Sequence, residues 1–176
     1  AIRRLDPKDG LELIGLRAGA LLAADVAGRH PVRSLALLHP VVDGRQQLTQ
    51  MLRLRLAGGL MGGGQKETVA QLKQRLAQGE CLEIAGYGLS GQLAADLETL
   101  SLMSAAPTGV GQVNWIELAP EEDRPLMPVS QRVVDDWRAR GIRINAAVIA
   151  CDQFWATQEI AQCPAIVRET MKHFAS

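Results

Sequence analysis

Residues Gly15 to Gly19 read G-L-R-A-G, which has the glycine spacing of the G-x-S-x-G turn that presents a nucleophilic serine between a strand and a helix. In such a turn small residues let the strand and the helix approach closely, and the central residue takes a strained positive φ. The central residue here is Arg17, whose guanidinium stays protonated and cannot attack a carbonyl carbon. The motif therefore predicts the turn without its nucleophile.

The segments around this turn supply the strand and the helix that it requires. Residues 11–15 form a short apolar run, and residues 18–29 have the composition of a helix that ends near Gly28. Because strands and helices alternate at both ends of the chain, we predict an α/β fold with about four parallel strands and flanking helices. The other predicted core elements are strands over residues 33–38, 112–118 and 142–151, a helix over 130–140 with Ser130 as its cap and Gly141 as its stop, and a closing helix over 157–174.

The middle of the chain reads as helices broken by glycines. One strand is predicted there, over residues 81–84, and the glycine-rich stretch 58–64 predicts a hinge because it is too short to link independent domains. We therefore divide the chain into a core, residues 1–43 and 107–176, and a helical cap insertion, residues 44–106, which is expected over the strand ends. The helices of the insertion are predicted over residues 46–56, 67–78 and 90–102.

The composition argues against several classes of protein. The chain of 176 residues carries 19 basic and 19 acidic side chains, a balance that gives no electrostatic case for binding nucleic acid or an anionic membrane surface. No apolar run approaches the roughly 20 residues that span a bilayer. The first residues, A-I-R-R-L-D-P, lack the apolar segment of a signal peptide. We therefore predict a cytoplasmic protein without a membrane span.

The three cysteines, Cys81, Cys151 and Cys163, are separated by 70 and 12 residues, a spacing that indicates neither a disulfide framework nor a zinc site. Free cysteine behaves mostly as a small apolar residue, so buried free thiols are expected. Cys151 follows the last predicted strand, and it would be a nucleophile only if a cation such as Arg17 lowered its pKa. No cofactor and no metal site are expected.

The order of these segments resembles the C-terminal half of an α/β-hydrolase. The turn is followed by a strand ending L-L-H-P-V-V-D-G, the insertion, a strand that leads to D-R-P-L-M-P, a helix and a final strand. The segments G-L-R-A-G-A-L-L-A-A-D, H-P-V-V-D-G-R-Q, L-R-L-R-L-A and F-W-A-T-Q-E-I are similar to the α/β-hydrolase-like proteins associated with exosortase A systems (hydrolase type 2). These systems occur in bacteria that make exopolysaccharide and sort proteins to the envelope. The resemblance covers nearly the whole chain and implies an accessory role there.

The resemblance assigns each position of a serine-hydrolase triad. The nucleophile position is Arg17, the acid position is Asp123 or its neighbour Glu122, and the base position is Gln153 in A-C-D-Q-F. The serine mechanism requires both a nucleophile and a base, so these positions imply a degenerate triad and a binding role. The alternative function is an active ester or thioester hydrolase that uses other residues.

Arg17 has two interpretations that the sequence leaves open. Its guanidinium is suited to bidentate binding of a carboxylate or phosphate on a small anionic or acyl ligand. It is equally suited to an internal ion pair with Asp43, Asp123 or Asp152. Asp43 itself, in V-V-D-G-R, is expected to form a turn.

Other residues are candidates for the same pocket. His39 ends the second strand, and its alternative role is a ring bonded to a neighbouring backbone group. Arg45 either turns inward beside Arg17 or belongs to a solvated helix face with Arg53 and Arg55. Two aromatic side chains either wall the pocket or belong to the core. The ligand-binding candidates are therefore Arg17, His39, Arg45, Tyr87 and Trp155.

An α/β-hydrolase sheet has eight strands, and the resemblance covers the last four. It implies about a hundred further residues before Ala1, by the usual size of a domain. Without them the first strand has an unpaired edge. The expected partner at that edge is the preceding segment or a second copy of the chain.

Overall fold

A computed structural model of the chain describes residues 10–60, 67–105, 107–121, 123–155 and 162–172. Two compact units are present: the sheet unit, which comprises the described parts of Ala1–Val42 and Leu102–Ser176, and the insertion unit, Asp43–Ser101. The elements in chain order are β1 (Glu12–Leu16), α1 (Gly19–Arg29), β2 (Val32–Leu38), α2 (Gly44–Leu60), α3 (Val69–Ala77), β3 (Leu82–Ile84), β4 (Tyr87–Leu89), α4 (Gly91–Thr99), β5 (Val110–Ala119), α5 (Pro128–Ala139), β6 (Ile144–Ala150) and α6 (Pro164–Met171).

The sheet unit is an α/β fold built on four parallel strands, as the sequence predicts, and the strand order is β1-β2-β5-β6. The central strands are largely buried on both faces because helices cover both. On one face Trp115 of β5 meets Trp137 of α5 edge to face, with ring centroids 6.1 Å apart. On the other face Ile166 of α6 packs against Ile116 and Leu118. Among the described residues β1 pairs with β2 alone, so its outer edge carries no strand there.

Two helices of the sheet unit begin at prolines that sequence reasoning overlooked. Helix α5 starts at Pro128, two residues before the predicted cap, and Ser130 is buried inside its first turn. Proline suits a first helical turn because its missing N–H has no intrahelical acceptor there. Helix α6 starts in the same way at Pro164. The rest of the predicted closing helix, residues 157–161 and 173–174, lies outside the described residues.

In the insertion unit, helix ends are fixed by side chains that bond to backbone groups. The N–H of Gln46 donates to Asp43 Oδ1 at 2.9 Å, so the predicted turn residue caps α2. Thr68 and Gln71 form a reciprocal capping box at the start of α3. The predicted break at Gly58 is wrong, because α2 continues to Leu60. The rest of the glycine hinge, residues 61–64, lies outside the described residues.

Sequence analysis missed a strand in the insertion unit. Strand β4 pairs antiparallel with β3 across the two-residue turn Ala85-Gly86. Both turn residues have positive φ, 49° and 85°, as in the type I′ turns that suit the twist of a hairpin. Alanine rarely takes this conformation, so the pair did not signal a hairpin in the sequence.

Candidate functional site

Several chemistry-bearing residues of the sheet unit directly follow the carboxyl ends of its parallel strands. Arg17 follows β1, His39 follows β2 and Cys151 follows β6. The last residues of β1 and β2, Leu16 and Leu38, are paired in register, so Arg17 and His39 begin neighbouring loops. Ligands of open parallel sheets bind outside the carboxyl ends of the strands. This edge is therefore the candidate site.

Arg17 lies in a strand-to-helix turn of the kind that G-x-x-x-G predicts. Its φ is 54°, an uncommon and strained value for a side-chain-bearing residue. Three backbone hydrogen bonds hold it there: its N–H donates to Leu38 O at 3.0 Å, and its carbonyl accepts from the N–H groups of Ala20 at 3.1 Å and Val41 at 3.2 Å. The strained conformation is thus fixed by both neighbouring loops.

The two glycines of the motif have different roles. A Cβ at Gly15 would lie 2.6 Å from Ala20 Cα, so glycine is needed where β1 meets the start of α1. A Cβ at Gly19 would meet nothing within 4 Å. Only the first glycine therefore permits the close approach that the motif suggested for both.

The Arg17 side chain is half-buried, and no described carboxylate of its own unit forms an ion pair with it. Its Cζ lies 5.2 Å from the centroid of the Trp155 ring, a cation–π contact. Burial lowers the pKa of the Arg17 guanidinium below its ordinary value by desolvation. The ion pairs found in the described sheet unit do not include Arg17, and both Asp123 and Asp152 are exposed. Internal pairing with these two aspartates is therefore not observed.

His39 is buried, and its ring accepts a hydrogen bond from the backbone. Its Nδ1 accepts the backbone N–H of Leu118 at 3.0 Å. A ring nitrogen that accepts carries no proton, so this contact assigns the proton of the neutral ring to Nε2. Burial lowers the pKa of His39, the charge of Arg17 lowers it further, and Glu117 opposes both. The ring–backbone bond is the alternative role that the sequence suggested, and it leaves Nε2–H as the donor of the ring.

Trp155 joins these two residues into one cluster. Its ring centroid lies 4.9 Å from that of His39 and 5.0 Å from that of Phe154. The structure thus brings together three of the five ligand-binding candidates: Arg17, His39 and Trp155.

The other two candidates belong to the insertion unit. Tyr87, in β4, is 81% exposed. Arg45 donates its Nε to the Glu98 carbonyl at 3.3 Å, and Arg55 donates to the Glu83 carbonyl at 2.6 Å. Of the three arginines assigned to a solvated helix face, Arg53 is exposed and forms no hydrogen bond or ion pair with the other described residues.

The triad-equivalent positions do not form a triad. Asp123 is exposed, with a φ of 60°, and Gln153 is exposed two residues after Cys151. Among the described residues no hydrogen bond joins Asp123 or Gln153 to Arg17. Glu122, the second candidate for the acid position, lies outside the described residues.

Glu117 is a site residue that sequence reasoning missed. It is 2% exposed on β5, where its Oε1 accepts the indole N–H of Trp115 at 3.2 Å. Its Oε2 accepts the backbone N–H of Met127 at 2.8 Å, which fixes the start of α5. The signal in the sequence was a carboxylate in the otherwise strand-like Q-V-N-W-I-E-L, since a buried carboxylate requires donors.

The cysteines correct the expectation of buried free thiols. Cys151 and Cys163 form a disulfide, with Cα atoms 6.3 Å apart, and Cys81 is free but exposed. Packing of α6 against the sheet brings the two cysteines together, a long-range effect that their spacing alone did not reveal. While bonded, Cys151 has no thiolate and cannot be a nucleophile.

The described residues contain no group of three or more His, Cys, Asp or Glu side chains that could hold a metal ion. None of the described helices has the length and apolar character that crossing a membrane requires.

The site and the fold define the class of this protein as an α/β protein with Arg17, His39 and Trp155 clustered at the carboxyl edge of a parallel sheet. No protein-family profile and no curated protein matches the chain. A solved structure of Rv0554 from Mycobacterium tuberculosis is similar, with a TM-score of 0.47 and 17% sequence identity. The match covers 93% of this chain and 65% of that protein, so this chain spans about two thirds of its length.

Proposed function

We propose that the sheet unit binds a small anionic ligand at Arg17 and does not perform serine-hydrolase chemistry. The half-buried guanidinium, which has no ion pair in the described sheet unit, carries this proposal. A charge withdrawn from water is costly unless a partner compensates it. A ligand carboxylate supplies that partner, with two parallel hydrogen bonds to the guanidinium.

The neighbours of Arg17 favour an acyl-bearing anion. The ring of His39 adds a second donor, Nε2–H, because its Nδ1 accepts the backbone N–H of Leu118. The rings of Trp155 and Phe154 offer apolar surface beside the two donors. A carboxylate that carries a short apolar chain matches both features.

The assignment of the chain to a particular family rests on the four segments that resemble exosortase-associated α/β-hydrolase-like proteins. It makes the chain an α/β-hydrolase-like protein with a degenerate triad, acting as an accessory in exopolysaccharide- and exosortase-linked systems of bacteria. Arg45 and Tyr87 would add to the site if the insertion acts as a cap. The disulfide argues against the expected cytoplasmic location, because disulfides are rare in reducing compartments.

Hexanoate is expected to raise the melting temperature of the wild-type chain and not that of Arg17→Ala. At a ligand concentration a hundredfold above Kd, binding adds about 2.7 kcal/mol of stability, which corresponds to roughly 5–10 °C for a chain of this size. Arg17→Lys keeps the charge and loses the bidentate geometry, so an intermediate shift is expected. The measurement is thermal unfolding at constant ionic strength.

Two controls accompany this experiment. Hexanamide has the same chain without the charge and is expected to give no shift. Arg132→Ala removes an exposed arginine of α5 and is expected to respond like the wild type. Equal shifts in the wild type and Arg17→Ala would remove the basis of the proposal.

A fluorophosphonate probe tests the absence of serine chemistry directly. We expect no covalent adduct by intact-mass measurement, because the nucleophile position is Arg17 and the base position is Gln153. Stoichiometric labelling of any serine would favour the alternative function, an ester or thioester hydrolase.

A further inference from the structure

A cavity of about 590 Å³ lies at the amino-terminal edge of the sheet, opposite the Arg17 cluster. Its walls are the starts of β1, β2 and β5, the residue before β6 and the end of α6. Three cationic side chains line it: Arg33, Arg143 and Lys172. The described lining contains no acidic residue. The geometry points to a second binding site, for a phosphorylated polyol whose phosphate contacts these cations.

Of the three cations that line the cavity, Arg143 is the one without a carboxylate partner among the described residues. Arg33 Nε lies 3.2 Å from a carboxylate oxygen of Glu12, and Lys172 Nζ lies 2.6 Å from one of Glu169. Arg143 donates its Nε to the Gly111 carbonyl at 2.9 Å, and it has no ion pair among the described residues. The guanidinium is therefore oriented by the backbone and retains its positive charge for an anion.

Gly111 brings the two arginine segments to one wall of the cavity. A Cβ at this position would lie 2.6 Å from the carbonyl oxygen of Arg33, so only glycine allows β5 to start this close to β2. The carbonyl of Gly111 is also the group that accepts from Arg143. Gly111 thus lies next to the backbone of Arg33 and also accepts the hydrogen bond that orients Arg143.

The polar floor of the cavity suits the hydroxyl groups of the ligand. Ser34 and Gln112 line the cavity, and both bond to Asn114, which is 1% exposed behind them. Gln112 Nε2 donates to Asn114 Oδ1 at 3.0 Å, and Asn114 Nδ2 donates to Ser34 Oγ at 3.4 Å. Central strands of parallel sheets are normally apolar, and this buried network keeps a hydroxyl and an amide at the cavity surface. Such groups recognise hydroxyls rather than apolar chains.

Isothermal titration of the full chain with ribose 5-phosphate and with inorganic phosphate tests this site. We expect both to bind, with ribose 5-phosphate about tenfold tighter because its hydroxyls add contacts to the floor. Arg143→Met is expected to weaken both ligands about tenfold or more. Gln112→Leu is expected to reduce the affinity for ribose 5-phosphate while leaving that for phosphate within about twofold.

Two arginine variants separate this site from the one at Arg17. Arg132→Met makes the same charge change on the exposed face of α5 and is expected to leave both affinities unchanged. Arg17→Ala is also expected to leave them unchanged, so failure here is distinct from failure of the proposed function. The inference is overturned if neither ligand binds at millimolar concentration, or if Arg17→Ala abolishes binding and Arg143→Met does not.

Discussion

Replacing Gly15 by alanine is expected to lower the free energy of unfolding by about 3 kcal/mol or to prevent folding. The added Cβ would lie 2.6 Å from Ala20 Cα and from Gly19 O, and 2.7 Å from Ala20 N. All three are backbone atoms at the start of α1, so no side chain can rotate away. Relief requires that α1 move from β1, and overpacking of this kind costs 1–3 kcal/mol or more. Urea unfolding of the two chains measures the loss.

Gly19→Ala is the matched control for this substitution. The same methyl group is added four residues along, where nothing lies within 4 Å. Gly19 is the first residue of α1, and alanine is the better helix former by up to about 1 kcal/mol. Its stability is therefore expected to equal or slightly exceed that of the wild type. Equal losses in the two variants would contradict the close-contact explanation.

The Gly15→Ala substitution is also expected to disturb Arg17, because the backbone connects the two residues to the start of α1. Arg17 keeps its positive φ because α1 starts immediately after it, and the Ala20 N–H that donates to Arg17 O belongs to the same turn. A partly folded Gly15→Ala chain is thus expected to lose response to hexanoate as well as stability. Gly19→Ala is expected to retain both.

The sheet was predictable because its signals are local. The central strands β2 and β5 are largely buried on both faces, and segments with helical composition separate the parallel strands along the chain. The strand-to-helix turn at Arg17 was predictable for the same reason, since Gly15, Arg17 and the start of α1 follow one another closely in the sequence. The first residues of α5 and α6 were harder to predict, because a proline at the start of a helix is also typical of a loop.

The chemistry of the site depends on contacts between distant segments. The role of His39 is set by the N–H of Leu118, which is 79 residues away. Glu117 holds the start of α5 because its carboxylate accepts the backbone N–H of Met127, ten residues away. No pattern in the local sequence specifies these pairings. Residue type therefore identified Arg17 as a cation, and the fold determined that none of the described carboxylates of its unit pairs with it.

The Cys151–Cys163 disulfide is the feature in which sequence and structure differ most, and its reduction is expected to lower the melting temperature by roughly 6–12 °C. A cross-link that closes a loop of this length stabilises a protein by about 3 kcal/mol. The closed loop carries Phe154 and Trp155, whose rings contact each other, and the Trp155 ring also contacts His39. Reduction is therefore expected to loosen the aromatic wall of the site, formed by Phe154 and Trp155, and to destabilise the fold.

Acrylamide quenching of tryptophan fluorescence measures that loosening separately from unfolding. Trp115 and Trp137 are fully buried, so an increase in quenching on adding dithiothreitol below the melting temperature reports on Trp155. Cys81→Ser retains the disulfide and is expected to respond like the wild type. Cys163→Ser is expected to give the reduced values with or without dithiothreitol. An unchanged melting temperature in the reduced wild type would show that the disulfide does not stabilise this fold, and the aromatic wall would then depend on packing alone.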